Sequence, residues 1–437
     1  MAALDPKRYD INILENGGTV REFIDKKIDE LSLADCSEPF HVADLDDVYK
    51  KHLTWSENLP RVTPFYAVKC NTTPAVIRTL SALGTGFDCA SKAEIELVLS
   101  LGATPDRIIY AHTTKPEAHI KYARARGVHM MTFDNQDELT KIARCHPSAK
   151  LVLRITVDDS SSLRRLNLKF GARPAAAGGL LRRAGELGLD VVGVSFHVGC
   201  MCSDSRAYRR AIADARHVFN TMGFQMSLLD IGGGFPGSDN FPLKFEEIAE
   251  CINVALDEFF PPDCGVQIIA EPGRYFMETA FTLAVNVFAK TVTMEDAAEH
   301  NEGDPDIVMM YYVNDGLYGS LRFFINHPEF GERRYRSVIW GPTCDSMDRL
   351  TDSCLLPELQ VGEWLLMDAT GAYTLSVSSN FNGFERATVF SVVTPETWRA
   401  LSGVKNVVCL CIKHYKKKKK KKKNSYKFFF KFCQKFQ

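Results

Sequence analysis

Between residues 60 and 275 the chain alternates short β-branched or aromatic runs with longer stretches of helical period. The apolar runs fall at 64–69 (PFYAVK), 86–90 (GFDCA), 107–111 (RIIYA), 129–133 (HMMTF), 151–155 (LVLRI), 191–198 (VVGVSFHV), 228–231 (LLDI) and 267–270 (QIIA). Amphipathic stretches at 74–83, 91–101, 115–126, 135–145, 174–188, 206–222 and 244–259 separate them. Each run has the length of a strand and each spacer the length of a crossover helix. Strands joined through helices pair in parallel, and eight of them close into a (β/α)8 barrel, an α/β fold whose chemistry sits at the C-terminal strand ends.

The alternation fades after residue 280. Runs at 282–288 (TLAVNVF), 308–313 (VMMYYV), 336–340 (RSVIW), 364–367 (WLLM), 372–377 (AYTLSV) and 388–393 (TVFSVV) follow one another without helical spacers. They predict a C-terminal antiparallel β domain. Pro39-Phe40-His41-Val42 also reads as a strand, which would draw the chain's beginning into that sheet. One barrel needs about 250 residues, and this chain has 437. The expected organisation is an N-terminal segment over 1–44 joining the β domain, a barrel over 45–280, the β domain over 281–412 and a Lys/Phe-rich tail over 413–437.

Polar residues collect at the predicted strand ends. Lys69 follows Phe65-Tyr66-Ala67-Val68, where a neutral amine could form a Schiff base with an aldehyde cofactor. An isolated lysine in that place is usually a surface cap. Here Asp88, Arg154, His197, the run Gly232-Gly233-Gly234 and Glu271 fall at or just after other strand ends of the same barrel, and that convergence favours a site. Glycines after a strand let backbone N–H groups approach an anion, weak evidence alone. Arg274, in Glu271-Pro272-Gly273-Arg274, adds a cation for a phosphate. Glu271 adds an acceptor for a protonated ring nitrogen, which makes pyridoxal phosphate an electron sink. His197 reads either as a ring-stacking group or as a satisfied core histidine.

Charge and cysteine content narrow the class. Thirteen cysteines lack regular spacing, and Cys200-Met201-Cys202 and Cys409-Leu410-Cys411 do not have zinc-ligand spacing. Reduced thiols in a cytoplasmic protein are expected. No apolar stretch reaches the roughly 20 residues of a membrane helix. Lys416 to Lys423 form a lysine block followed by a phenylalanine-rich end. Such runs are what A-rich and T-rich noncoding DNA encodes, so the segment reads as a misplaced terminus before it reads as a polyanion-binding tail. Residues 413–437 hold 12 lysines and no acid, and without them the formal charge falls from −1 to −13. That balance carries no nucleic-acid footprint.

PFYAVKCN, GTGFDCASK, KFG, GVSFHVG, LDIGGGFPG, EPGRY, YYVNDG-YGS, WGPTCD-DR and GAYT stand in register from about residue 38 to 395. On these motifs the chain resembles the eukaryotic ornithine decarboxylase family, pyridoxal-phosphate enzymes with an alanine-racemase-like barrel and a β domain. The resemblance implies a covalent cofactor bond at Lys69, ring contacts from Asp88, Glu94 and His197, and a ring-nitrogen partner in Glu271. It implies phosphate contacts from Gly232, Gly233, Gly234, Arg274 and Tyr373, and it matches Arg154 to an active-site arginine. Cys344, the expected proton donor to Cα, and Asp345 would enter from a second copy, making a homodimer with shared sites. Lys169 and Asp348 match an intersubunit pair, and Lys115, Lys121 and Lys141 match a basic antizyme-binding surface.

Two departures stand out. Cys200 replaces a phosphate-contacting serine, a weaker donor. After Tyr318-Gly319-Ser320 the family carries an aspartate for ornithine's distal ammonium, and here Asn326 or His327 takes that place in a shortened loop. With Asp345 and Phe381 these form the expected substrate pocket. Losing an anion opposite a buried ammonium is costly, which favours a neutral aliphatic substrate such as leucine, as in an ornithine-decarboxylase-like paralogue. Asp345 and the nearby Glu329 keep ornithine open. A non-catalytic antizyme inhibitor also fits the resemblance, and a racemase or diaminopimelate-type decarboxylase fits the same barrel with a weaker match to the β-domain motifs.

Overall fold

The eight apolar runs form eight parallel strands: β1 (Val62–Ala67), β2 (Gly86–Cys89), β3 (Ile108–Tyr110), β4 (Met130–Phe133), β5 (Lys150–Arg154), β6 (Asp190–Ser195), β7 (Leu228–Asp230) and β8 (Gln267–Ala270). A computed structural model describes residues 9–220, 224, 226–294, 307–321 and 334–402. The strands close into a barrel, with Ile268 of β8 in register with Val62 of β1. Helices Pro74–Ala82, Lys92–Ser100, Glu117–Ala125, Gln136–Cys145, Pro174–Glu186, Arg206–Phe219 and Phe245–Phe259 fill the predicted spacers. Ser91 and Asn135 cap two of them by accepting from the backbone N–H of Glu94 and Glu138, the pairing that favours these residue types at helix starts.

Beneath the β7 end lies an aromatic cluster that fixes the glycine turn. Trp55, fully buried on the helix Leu45–Asn58, packs against Phe235 at 4.9 Å and Phe245 at 5.4 Å, and its indole N–H donates to the Val62 carbonyl at 2.9 Å. Burial of each such ring contributes about 1.5–3 kcal/mol. The turn therefore sits on a packed base.

The second sheet has eight strands. Ile11–Ile13 and Phe40–Asp44 from the N-terminal segment join β9 (Phe281–Met294), β10 (Ile307–Val313), β11 (Tyr335–Trp340), β12 (Arg349–Leu356), β13 (Trp364–Met367) and β14 (Thr388–Val393). Most pairs are antiparallel, but β14 runs parallel to both N-terminal strands and β10 runs parallel to β11. Two expectations fail here. Residues 372–377 are not a strand: Tyr373 adopts φ +59° and Leu375–Val377 form a single 3-10 turn. β12 was not expected, because Thr351-Asp352-Ser353 interrupts its apolar pattern. Its exposed positions belong to the end of the sheet, where polar residues are favoured.

Within the β domain His41 is fully buried and lies 2.9 Å from the Ser320 hydroxyl, which donates to Asp315. Among the described residues no helix is long and apolar enough to cross a membrane. The lysine block and Cys409-Leu410-Cys411 lie outside the described residues.

Candidate active site

β1 stops at Ala67, and Lys69 sits on the 3-10 turn Val68–Cys70 that follows. Ala67 N donates to Pro272 O at 3.1 Å and Tyr66 Oη to Asn71 O at 2.8 Å, so the turn is tied to the β8 end and to itself. Lys69 Nζ pairs with the Asp88 carboxylate at the end of β2. Asp88 is wholly buried, while 41% of the Lys69 side chain is open to the hollow above. Burial pulls the Lys69 ammonium down, but the Asp88 and Glu271 carboxylates outweigh it and hold the group above its ordinary range. The lysine is a cation here and must lose a proton before it can act as a nucleophile.

The glycine turn follows β7. Asp230 Oδ1 accepts from Gly232 N at 2.9 Å, Glu271 N donates to Gly232 O at 2.7 Å and Tyr208 Oη to Gly233 O at 3.0 Å. Gly232 and Gly234 hold φ of +66° and +106°, a region costly to other residues. A Cβ on Gly233 would stand 2.9 Å from His197 Nε2 and 2.8 Å from Glu271 O. Only a backbone without side chains leaves this surface open. Arg274 pairs with Glu278 at 3.1 Å and lies 5.5 Å from the Tyr373 ring, whose left-handed backbone is held by Tyr373 N donating to Cys70 O at 3.0 Å. Cys200 is half-buried beside this group, its thiol pushed up by burial against the pull of Arg274 and Lys69.

His197 Nδ1 accepts from Gly199 N at 3.0 Å. Burial, then Arg154 and Lys69, push its pKa down to about 3, so the ring is neutral with its proton on Nε2. The loop after β5 covers it. Asn167 Nδ2 donates to His197 O at 3.1 Å, and Asp159 fixes that loop by accepting from Leu166 N at 2.7 Å and Asn167 N at 2.9 Å. Arg154 stacks on Phe170 at 5.2 Å, with Nε and Nη2 buried and unpartnered among the described residues. Glu94 accepts from Ala90 N at 2.6 Å, and burial raises its carboxyl. It closes the start of its helix at the edge of the site.

The Glu271 carboxyl is pushed well above the usual carboxylate range by burial, then by Asp230 and Asp88. Asp88 Oδ1 and Asp230 Oδ2 are buried without donors. A ring with a polar nitrogen and an aldehyde within reach of Lys69, carrying a phosphate for Gly232–Gly234 and Arg274, matches this donor set. Pyridoxal phosphate has those parts, so the residues present fit it.

The β-domain contribution is of another kind. Cys344 is exposed, its N–H donating to Asn382 Oδ1 at 3.1 Å. Asp345 accepts from Tyr318 Oη and from Met347 N at 2.9 Å, and the Tyr318 bond, then Met347 N, hold its carboxyl below the usual range. Phe381, 42% exposed, stacks on Tyr318 at 4.6 Å. Asn326, His327 and Glu329 lie outside the described residues.

Two readings of charged residues need correction. Lys115 is not on a basic surface: it is buried, with Nζ 2.9 Å from Glu138 Oε1 and 2.6 Å from Thr132 O, and burial lowers its pKa to about 8. Lys141 also turns inward, 2.6 Å from Glu138 Oε2, whereas Lys121 is exposed. Asp348 is buried within its own turn, accepting from Leu317 N at 2.7 Å, Thr343 N at 3.0 Å and Thr343 Oγ1 at 2.7 Å, which is structural work inside one chain. Sequence reasoning missed Asp230, Asp159 and Tyr318. Asp230 and Tyr318 stand within recognised motifs, LDIGGGFPG and YYVNDG-YGS, and the signal was their place beside residues already singled out.

Residues 45–278 match the pyridoxal-dependent decarboxylase family model for the pyridoxal binding domain. The chain is 51% identical over 422 residues to ornithine decarboxylase of Rattus norvegicus, covering 93% of this chain and 92% of that protein. It is 49% identical over 406 residues to antizyme inhibitor 2 of Xenopus laevis, covering 90% and 89%. The crystal structure of the Paramecium bursaria Chlorella virus arginine decarboxylase superposes with a TM-score of 0.75 at 35% identity, covering 83% of this chain and 98% of the other.

Proposed function

This chain belongs to the eukaryotic ornithine decarboxylase family and is a pyridoxal-phosphate-dependent amino-acid decarboxylase; from that premise we propose that it acts on a basic amino acid of ornithine's length, releasing CO2 and putrescine. The observation that carries the reading is Asp345, an ionised carboxylate at the β-domain edge, aimed by the Tyr318 hydroxyl and flanked by Phe381. A distal ammonium needs such a partner, and the two decarboxylases compared above are named for ornithine and arginine, both with cationic ends.

Pyridoxal phosphate supplies the electron sink for the bond to CO2. The Gly233 and Gly234 N–H groups, on the turn that Gly232 shapes, with Arg274, Tyr373 and Cys200, would hold its phosphate. Lys69 Nζ, once deprotonated, would hold the cofactor through its aldehyde carbon, with water as the group lost, and Asp88 would stand beside it. Glu271 would accept from the ring nitrogen, neutral His197 would cover the ring face, and Arg154 and Glu94 would line the remaining edge. Cys344 Sγ returns a proton to the substrate Cα.

The exposed Cys344 and the half-buried Asp345 complete the site of a second copy in this reading, giving a homodimer with shared sites. Apolar exposure around them, at Met347 (71%) and Phe381 (42%), is what a partner would cover. The relative named antizyme inhibitor makes antizyme a candidate partner as well, presented through surfaces other than Lys115.

A second reading keeps leucine. From Leu321 to Pro328 the chain carries no carboxylate, so a neutral aliphatic substrate avoids an unmatched charge. Incubating purified protein and pyridoxal phosphate with ornithine, lysine, arginine and leucine, then identifying the amines, separates the two. Putrescine as the main product supports the first. The amine of leucine as the main product overturns it.

A further inference from the structure

Asp230 and Glu271 end adjacent strands. Asp230 pairs in register with Ile269, and Glu271 lies two residues beyond that partner. The two share Gly232: its N–H donates to Asp230 Oδ1 at 2.9 Å and its carbonyl accepts from Glu271 N at 2.7 Å. Their carboxyls act on each other directly, Asp230 raising Glu271 and Glu271 lowering Asp230. Two carboxylates have no hydrogen to offer, so a bond between them requires a proton. Glu271 is the acid pushed higher, and Asp230 Oδ2, fully buried and without any other donor among the described residues, is the oxygen open to that proton.

Charge balance gives the same count. The pair faces Asp88 from β2, Lys69 from the turn after β1 and Arg154 from β5, while His197 is neutral. Three carboxyls against two cations leave one negative charge in excess, which one proton removes. Burial raises both acids: Asp230 reaches about 7, lifted also by Asp88 but lowered by Gly232 N and Glu271, whereas Glu271 is pushed well above its usual range by Asp230 and Asp88 as well. With the cofactor bound, a protonated ring nitrogen would stand in for the Lys69 charge, and the same single proton would still suffice.

We propose that Asp230 is a positioning residue for Glu271: the two carboxyls share one proton, which passes from Glu271 Oε to Asp230 Oδ2 when Glu271 faces the cofactor ring as an anion. In that move one O–H bond breaks and one forms, and no other reactant is needed. Asp230 thereby ties the phosphate-binding turn and the ring-nitrogen partner to one proton. The inference rests on the reading of Glu271 as that partner.

Infrared difference spectra at neutral pH test the pair itself. A protonated-carboxyl stretch present in the wild type is expected to vanish in Asp230→Asn and equally in Glu271→Gln, because the proton belongs to neither acid alone. Survival of the band in either variant overturns the proposal, and if one variant does not fold the other still decides. On the cofactor-loaded protein, the amide introduced by Asp230→Asn donates as protonated aspartate does and should keep the pH midpoint of the cofactor's visible absorbance, whereas Asp230→Ala removes the donor to Glu271 and should raise it by about one unit or more, a tenfold change in proton affinity. An unchanged midpoint in Asp230→Ala with an unchanged band would leave Asp230 a loop anchor only. Failure of the wild type to bind pyridoxal phosphate would count against the functional reading, while the infrared result would still stand.

Discussion

On the barrel side of the site Asp88 and Asp230 are fully buried, the glycine turn is bonded through Gly232 N–H and the Gly232 and Gly233 carbonyls, and Lys69 is paired. On the β-domain side Cys344 is exposed, Phe381 is 42% exposed, and Asp345 hangs on Tyr318 and Met347 N. The barrel half is preorganised within one chain and carries the cofactor chemistry. In the proposed reading, the β-domain half is an edge that a partner surface and a substrate would complete. Buried, mutually bonded groups are costly to disturb and fix one geometry, whereas an exposed edge can change its preference without unfolding anything. Reaction type and substrate choice are thus held by different physical means.

The sharpest break of that contrast is Lys69→Ala. Covalent cofactor absorbance should disappear and decarboxylation fall by at least about a thousandfold, with far-UV circular dichroism unchanged. Persistence of the absorbance would place the covalent bond elsewhere.

Next in size is Gly232→Ala. Its Cβ would lie 2.1 Å from the Phe196 carbonyl oxygen at a φ of +66°, and the left-handed backbone alone costs about 1–2 kcal/mol. Pyridoxal phosphate titrations should show binding weakened by at least about tenfold. Wild-type affinity would mean that the turn is not a phosphate cradle.

Asp345→Asn probes the other half. Ornithine kcat/KM should drop by about one to two orders of magnitude, with cofactor binding untouched and leucine turnover no lower. Equal losses on both substrates would move Asp345 from selectivity to general structure.

The smallest effect is expected for Cys200→Ser. A hydroxyl donates better than a thiol, so cofactor affinity should rise, by less than about tenfold. No change in the dissociation constant would show that the Cys200 side chain does not meet the phosphate.

The same contrast explains what was legible in the sequence. Alternating runs and spacers predicted the barrel nearly strand by strand, and Lys69, His197 and Glu271 stood out because they follow apolar runs. Tyr373 was read inside a strand because Ala-Tyr-Thr-Leu-Ser-Val has β composition, and a left-handed φ leaves no mark in composition. Lys115 and Asp348 were read as surface charges because their partners, Glu138 and Thr343 with Leu317, are supplied by the fold. The distal pocket was ambiguous for a different reason: its shortened loop aligns in more than one way, and charge alone could not choose.

Mixing Lys69→Ala protein with Cys344→Ala protein tests most directly whether the buried half of one chain works with the exposed half of another. Each variant alone should be nearly inactive. After subunit exchange, random pairing puts one intact site in half of the dimers, so about a quarter of wild-type activity should return. No recovery, with exchange demonstrated by differently tagged chains, would contradict the division of the site between two copies.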